Sequence, residues 1–214
     1  YRMKNIIIND KVCKATEGKT VLEVARENGI DIPTLCYLKE CGNVGKCGVC
    51  AVEIEGKNNL ALACLTKVED GMVVRTDTEK VQERVKARVS TILNKHEFKC
   101  GPCPRRENCE LLKLVIKTKA KATTPFVVED KEEYVDVRSK SITIDRSKCI
   151  LCGRCAAACT EKTGTSSIKL VNVNGKRIVT PEEQKCFDET NCLLCGQCVA
   201  ACPVGALSEK THID

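Results

Sequence analysis

The sequence predicts an α+β protein made of small cysteine-bearing modules in series. Three observations carry that reading. Segments 149–159 and 192–202 are near copies of each other, each spaced C-x2-C-x2-C-x3-C. The first 78 residues run in the order strand, strand, helix, cysteine loop, strand, strand, which is a β-grasp order. Between these blocks, Val81, Val85, Val89, Ile92 and Leu93 recur on one helical stripe. The chain has 214 residues, 18 cysteines, no Trp and 3% aromatics. That length allows one to three small domains. So little bulky apolar side chain means that each needs metal or disulfide staples.

Taken in order, residues 4–8 read as a strand, and 12–15 as its partner before a turn at Gly18. Thr20 and Glu23 form a capping box for a helix over 21–28, closed by Gly29. A cysteine loop spans 36–50, followed by strands at 51–55 and 72–76. The striped helix runs from Thr78 to about His96, and a second helix covers 110–119 before Thr123-Thr124-Pro125 breaks it. Residues 129–140 are charged and read as a surface connection. A strand at 142–144 leads into the first cysteine repeat. Asn174-Gly175 between two apolar runs, 168–173 and 176–179, predicts a hairpin between the repeats. The modules divide as 1–78, 79–126 and 127–214.

The repeat spacing is that of a two-cubane bacterial ferredoxin. Three cysteines of each repeat grip one [4Fe–4S] cube and the fourth reaches the other cube. The ligand sets are then Cys149, Cys152, Cys155 and Cys202, and Cys159, Cys192, Cys195 and Cys198. Disulfides are the first alternative, but x2 spacing without a signal peptide suits metal in a cytoplasmic chain better than bridges. Zinc is the second, but it wants cysteines in pairs rather than triplets.

The N-terminal loop offers Cys36, Cys41, Cys47 and Cys50, with Cys64 further on. A plant-type [2Fe–2S] ferredoxin needs C-x4-C-x2-C. Cys36 to Cys41 is x4 but Cys41 to Cys47 is x5, so Cys36, Cys47, Cys50 and Cys64 are the predicted ligands and Cys41 a free thiol. Gly42, Gly45 and Gly48 let the backbone curl so that N–H groups face sulfur. No G-x-G-x-x-G precedes a helix, which argues against a nucleotide loop.

His96-x3-Cys100-x2-Cys103-x5-Cys109 is one cysteine short of a cubane set. A lone histidine at a helix end more often settles the dipole, but three spaced cysteines beside it point to a His/Cys3 [4Fe–4S] site. His212 has no such company and reads as a surface tail residue. Cys13 reads as a buried small hydrophobe, and Cys186 as free, since the second repeat is complete without it.

The formal charge of +6 counts every cysteine as neutral. With fifteen thiolates on four oxidised clusters the total falls to roughly −1, so the basic excess mostly balances the clusters. With no Lys/Arg run and no RNA-type aromatic motif, nucleic-acid binding is not expected. No apolar run approaches the roughly 18 residues of a membrane span. Tyr1 and Arg2 read as a tag remnant before a natural start at Met3. No catalytic triad or carboxylate dyad stands out, so the chain alone reads as a non-catalytic part.

The whole order resembles the N-terminal accessory-cluster region of clostridial-type [FeFe] hydrogenases. The resemblance rests on His96-Glu-Phe-Lys-Cys-Gly-Pro-Cys103 with Arg-Arg-Glu-Asn-Cys109, on Val135-Asp-Val-Arg-Ser-Lys-Ser141 leading to Cys149, and on Cys192-Leu-Leu-Cys-Gly-Gln-Cys198 running to Pro203. It covers essentially the whole chain. It implies one [2Fe–2S] and three [4Fe–4S] clusters, a ferredoxin-like electron carrier as partner, and a following H-cluster domain that interconverts protons and H2. The cluster of Cys159, Cys192, Cys195 and Cys198 would face that domain. The chain holds no vicinal Cys-Cys pair and lacks that domain's cysteine motifs. It therefore reads as an excised relay, with a stand-alone electron carrier as the other possibility. The same modules occur in NAD-linked formate dehydrogenases and in the large subunit of respiratory complex I, the alternative parents.

Overall fold

A computed structural model describes residues 3–41 and 45–210. Tyr1, Arg2, Gly42 and His212 lie outside them. The N-terminal sheet runs β2-β1-β5-β3-β4. β1 (Met3–Ile8) pairs antiparallel with β2 (Lys11–Thr16) through a two-residue turn. Asn9 and Asp10 both take positive φ there (48° and 68°), the primed geometry that matches strand twist. β3 (Ala51–Ile54), β4 (Ala61–Leu62) and β5 (Val73–Arg75) complete the sheet. β5 lies parallel to β1, with Ile7 opposite Val73. α1 (Val21–Glu27) packs Val21, Leu22, Val24 and Ala25 against the sheet core. The expected capping box is present: Glu23 N–H donates to Thr20 Oγ1 (3.3 Å), and Thr20 N–H donates to Glu23 Oε2 (2.7 Å).

α2 (Glu79–Leu93) buries the stripe of Val81, Val85, Val89 and Leu93, each worth about 1.5–3 kcal/mol of transfer when fully covered. It ends three residues before His96, short of the predicted limit. The cause is Asn94, whose Oδ1 accepts from the N–H groups of Thr123 and Thr124 (2.8 and 3.1 Å) while its Nδ2 donates to Thr123 Oγ1 (2.8 Å). These bonds tie the helix end to the chain beyond α3 (Glu110–Thr118). α3 stops because Lys119 takes a left-handed φ of 52°.

In the C-terminal part, β6 (Val135–Asp136), β7 (Ile142–Asp145) and β10 (Leu207–Glu209) form a sheet in the order β10-β7-β6. The segment expected to be a plain surface connection therefore contains a strand. Its Asp136 sits between Arg138 (2.7 Å) and Arg146 (3.5 Å). The Arg138 guanidinium holds the Asp136 carboxyl down at about 2. β8 (Ile168–Val173) and β9 (Lys176–Pro181) form the expected hairpin, with positive φ at Asn174 and Gly175. The two repeats carry α4 (Arg154–Thr163) and α5 (Gln197–Ala201), which pack on each other.

One apolar core lies within the N-terminal sheet module. The other joins Leu35, Val49 and Ala51 beside the cysteine loop to α2, α3 and the C-terminal part. The cysteine loop thus faces the rest of the molecule.

Candidate metal centres

The N-terminal loop gathers its cysteines in two close pairs. Cys36 Sγ lies 3.3 Å from Cys47 Sγ, and Cys50 Sγ lies 3.4 Å from Cys64 Sγ. All four are buried. In each pair one sulfur accepts the other's S–H. Cys36 is thereby lowered to about 5 and Cys50 to about 7, while Cys47 and Cys64 are pushed up. The Cys47 amide also donates to Cys36 Sγ (3.4 Å). Two glycines make this curl possible. Gly45 (φ 63°) and Gly48 (φ 70°) take left-handed backbone, and a Cβ on Gly48 would stand 3.0 Å from Arg88 Nε. Arg88 reaches from α2 and donates to the Cys47 carbonyl (3.2 Å). Cys41 stands apart, half-buried beside the charged residues Glu161 and Lys162 of α4.

His96, Cys100, Cys103 and Cys109 line one small pocket. His96 is buried and does not sit on α2. Its Nδ1 meets the Lys148 carbonyl at 2.9 Å. A carbonyl only accepts, so Nδ1 carries the proton and Nε2 is left free for a metal. Burial holds the imidazole below its ordinary pKa. Cys109 caps α3, its sulfur accepting from the Leu112 amide (3.4 Å), at the helix end that favours negative charge. Gly205 is what lets the C-terminal part approach, since a Cβ there would collide with Cys103 Sγ.

The two repeats fold alike. Leu151 and Leu194 both take left-handed φ (55° and 52°), and their amides donate to Cys149 and Cys192 Sγ, each at 3.4 Å. Cys149, Cys152, Cys155 and Cys202 line a small, mostly apolar pocket. Cys159, Cys192, Cys195 and Cys198 line another. In both, the fourth cysteine comes from the opposite repeat. Burial pushes Cys149 up to about 11 and Cys152 and Cys198 up to about 12. Thiolates there need a compensating positive centre, and iron supplies one. Among the described residues no three of these side chains meet closely enough to hold a single metal ion, while four line each pocket, which suits a polynuclear group better. Cys159 differs from its neighbours. Burial raises it, but the Thr165 hydroxyl and the Ile168 amide bring it net below its ordinary value.

Of the remaining cysteines, Cys13 is buried in β2, and Cys186 begins the turn at Phe187–Glu189, where its amide donates to Glu189 Oε2 (2.9 Å). Sequence reasoning missed Arg88, the Lys148 carbonyl, Thr165 and Gly205. Only the tertiary approach of distant segments, or a turn of the chain, brings them to a cysteine or to His96.

Three protein-family models match the chain in turn. Residues 2–79 match the 2Fe-2S iron-sulfur cluster binding domain family. Residues 80–120 match the iron hydrogenase 1-like, iron-sulfur centre-binding domain, and 148–206 the 4Fe-4S dicluster domain. The chain is 58% identical over 213 residues to Iron hydrogenase 1 of Clostridium pasteurianum, covering 99% of this chain but 37% of that protein. It is 30% identical to the NAD-reducing hydrogenase HoxS subunit gamma of Cupriavidus necator, covering 96% of this chain and 86% of that subunit. A crystal structure of an NAD+-reducing [NiFe]-hydrogenase in the H2-reduced state superposes with a TM-score of 0.87 at 24% identity, over 98% of this chain and 88% of that one, a likeness of fold.

The fold and its cysteine sets define an α+β iron–sulfur protein that carries 2Fe–2S and 4Fe–4S clusters. The chain belongs to the family formed by the accessory iron–sulfur region of iron hydrogenases and the gamma subunit of NAD-reducing hydrogenases. It spans 37% of the length of the iron hydrogenase it resembles.

Proposed function

We propose that this chain is the single-electron relay of an iron hydrogenase, divided into modules at 1–78, 79–126 and 127–214. One [2Fe–2S] cluster is held by Cys36, Cys47, Cys50 and Cys64. Three [4Fe–4S] clusters are held by His96, Cys100, Cys103 and Cys109, by Cys149, Cys152, Cys155 and Cys202, and by Cys159, Cys192, Cys195 and Cys198. Each bound cluster supplies one reversible electron, and the chain's own groups fix where and how easily that electron resides.

The observation that carries this reading is the set of three cavities, each lined by four of the sequence-selected donors. The residues do three things. Apolar walls such as Ile144 and Val179 keep water from the cluster of Cys149 and its partners. Amides of Cys47, Leu151 and Leu194 donate to ligand sulfurs. The His96–Lys148 contact joins one ligand set to the residue just before Cys149, the first ligand of the next.

Electrons from a reduced ferredoxin-like carrier enter at the N-terminal or His/Cys3 end and leave at the cluster of Cys192 and Cys195. There Leu193 and Leu194 are exposed apolar residues at 65% and 44%, beside an exposed Cys195, a fit for the docking face of a catalytic domain that interconverts protons and H2. The setting is cytoplasmic. Anaerobic iron and sulfide analysis with low-temperature EPR tests the ligand sets. They require about 14 iron atoms per chain, and a fully loaded preparation holding about 8, two cubanes alone, refutes the N-terminal sets.

A further inference from the structure

The two ferredoxin repeats are near copies, so any donor present at one and missing at the other is informative. α4 ends at Thr163, and Gly164 (φ 72°) turns the chain back over the last helical turn. This return brings Thr165 Oγ1 to 3.3 Å from Cys159 Sγ. Thr163 lies close too, but its hydroxyl donates to the Cys159 carbonyl at 2.6 Å, so its one proton is committed. Thr165 Oγ1 is also 2.9 Å from Thr163 Oγ1. Between a neutral oxygen and a thiolate, the charged acceptor takes the stronger bond. The Thr165 proton therefore points at the sulfur. In the other repeat the matching residue is Cys202, followed by Pro203. Among the described residues, Cys159 is the cysteine whose sulfur is bonded to a threonine hydroxyl.

We propose that Thr165 tunes the cluster held by Cys159, Cys192, Cys195 and Cys198, raising its reduction potential above that of its sister. The proposal rests on the ligand sets given above. Reduction adds one negative charge that spreads onto the ligand sulfurs. A hydroxyl donor aimed at one of them stabilises the reduced form more than the oxidised form. Partial exposure of the same cluster at Cys195 acts in the same direction. The electron then rests at the end of the pair that bears Leu193 and Leu194. Thr165 is a positioning residue. It touches a ligand, not the iron.

The test uses the reconstituted 214-residue chain as wild type, Thr165→Val and Thr165→Ser, with iron analysis, EPR-monitored redox titration and pulsed EPR after brief exchange into D2O. Thr165→Val should keep its iron, and one four-iron midpoint should fall by roughly tenfold in the one-electron equilibrium, about 59 mV. Thr165→Ser should restore it. In the wild type, a rapidly exchanging proton should couple to one four-iron cluster, and the valine variant should lose it. Unchanged midpoints in a fully loaded Thr165→Val protein, or no such proton in the wild type, would overturn the proposal. If the wild type itself lacks the four irons, the ligand sets fail first. If the valine variant loses its cluster, the wild-type proton measurement alone decides.

Discussion

Single atoms decide much of this protein's chemistry. Gly205 has no left-handed backbone to explain it. Its role is space, because a Cβ would collide with Cys103 Sγ and stand 3.6 Å from Arg105 Cβ. A free cysteine side chain would swing aside, but one fixed to iron cannot. Gly205→Ala should therefore fold and lose the His/Cys3 cluster selectively. Iron should fall from about 14 to about 10 per chain, with one four-iron EPR signal missing. Retention of all signals would mean that Cys103 is not bound. In the N-terminal loop, Cys36→Ala should abolish the two-iron EPR signal and Cys41→Ala should spare it, since Cys36 lies in a buried sulfur pair and Cys41 beside α4. At this scale the sequence was legible where cysteine spacing speaks, as in the two repeats. It was silent on Thr165, Gly205 and the Lys148 carbonyl. Threonine, glycine and a backbone oxygen carry no signal until the fold brings them to sulfur or imidazole.

Among the elements, α3 and α4 meet through one ion pair. Arg154 opens α4 and is buried at 9% exposure, with its Nη1 donating to both oxygens of Glu110 at 2.8 Å. Glu110, at the start of α3, is about a third exposed. The two ends are not equivalent. Removing Glu110 leaves a buried guanidinium without its partner, whereas removing Arg154 leaves a carboxylate that water can reach. Glu110→Ala should lower stability by about 2 kcal/mol, discounted from the range for fully buried pairs. Arg154→Met, which keeps the apolar stem, should cost about 1 kcal/mol or less. Urea titrations followed by cluster absorbance would check the order, and a larger loss for Arg154→Met would contradict it. α1, α2 and α3 were readable from capping and periodicity. α4 and α5 were not, because cysteine spacing and alanines overwrite any amphipathic stripe. β4 and β6 are two residues each, too short for alternation to register.

Across the whole molecule, the cysteine loop of the first module shares an apolar core with α2, α3 and the C-terminal part. The order of modules was legible in the sequence, because each announces itself by its cysteines. Their mutual packing was not, since it depends on Leu35, Val49 and other apolar residues that look like any core residues. In the proposed ligand sets, sixteen donors, fifteen cysteines and His96, would serve four clusters and leave each fully ligated. A metal that forms or splits hydrogen needs an open coordination position. The remaining cysteines do not assemble one. Cys13 is enclosed in β2, Cys41 lies against α4 and Cys186 begins the turn before Cys192. The reconstituted chain should therefore bleach on addition of dithionite or reduced ferredoxin, taking up about four electrons, one per cluster. It should evolve no hydrogen under the same conditions. Gas chromatography of the headspace over the purified chain, free of maturation factors and other hydrogenases, reads this directly. Hydrogen above the buffer control would mean that a metal in these residues keeps an open position, and the relay would have an active site of its own.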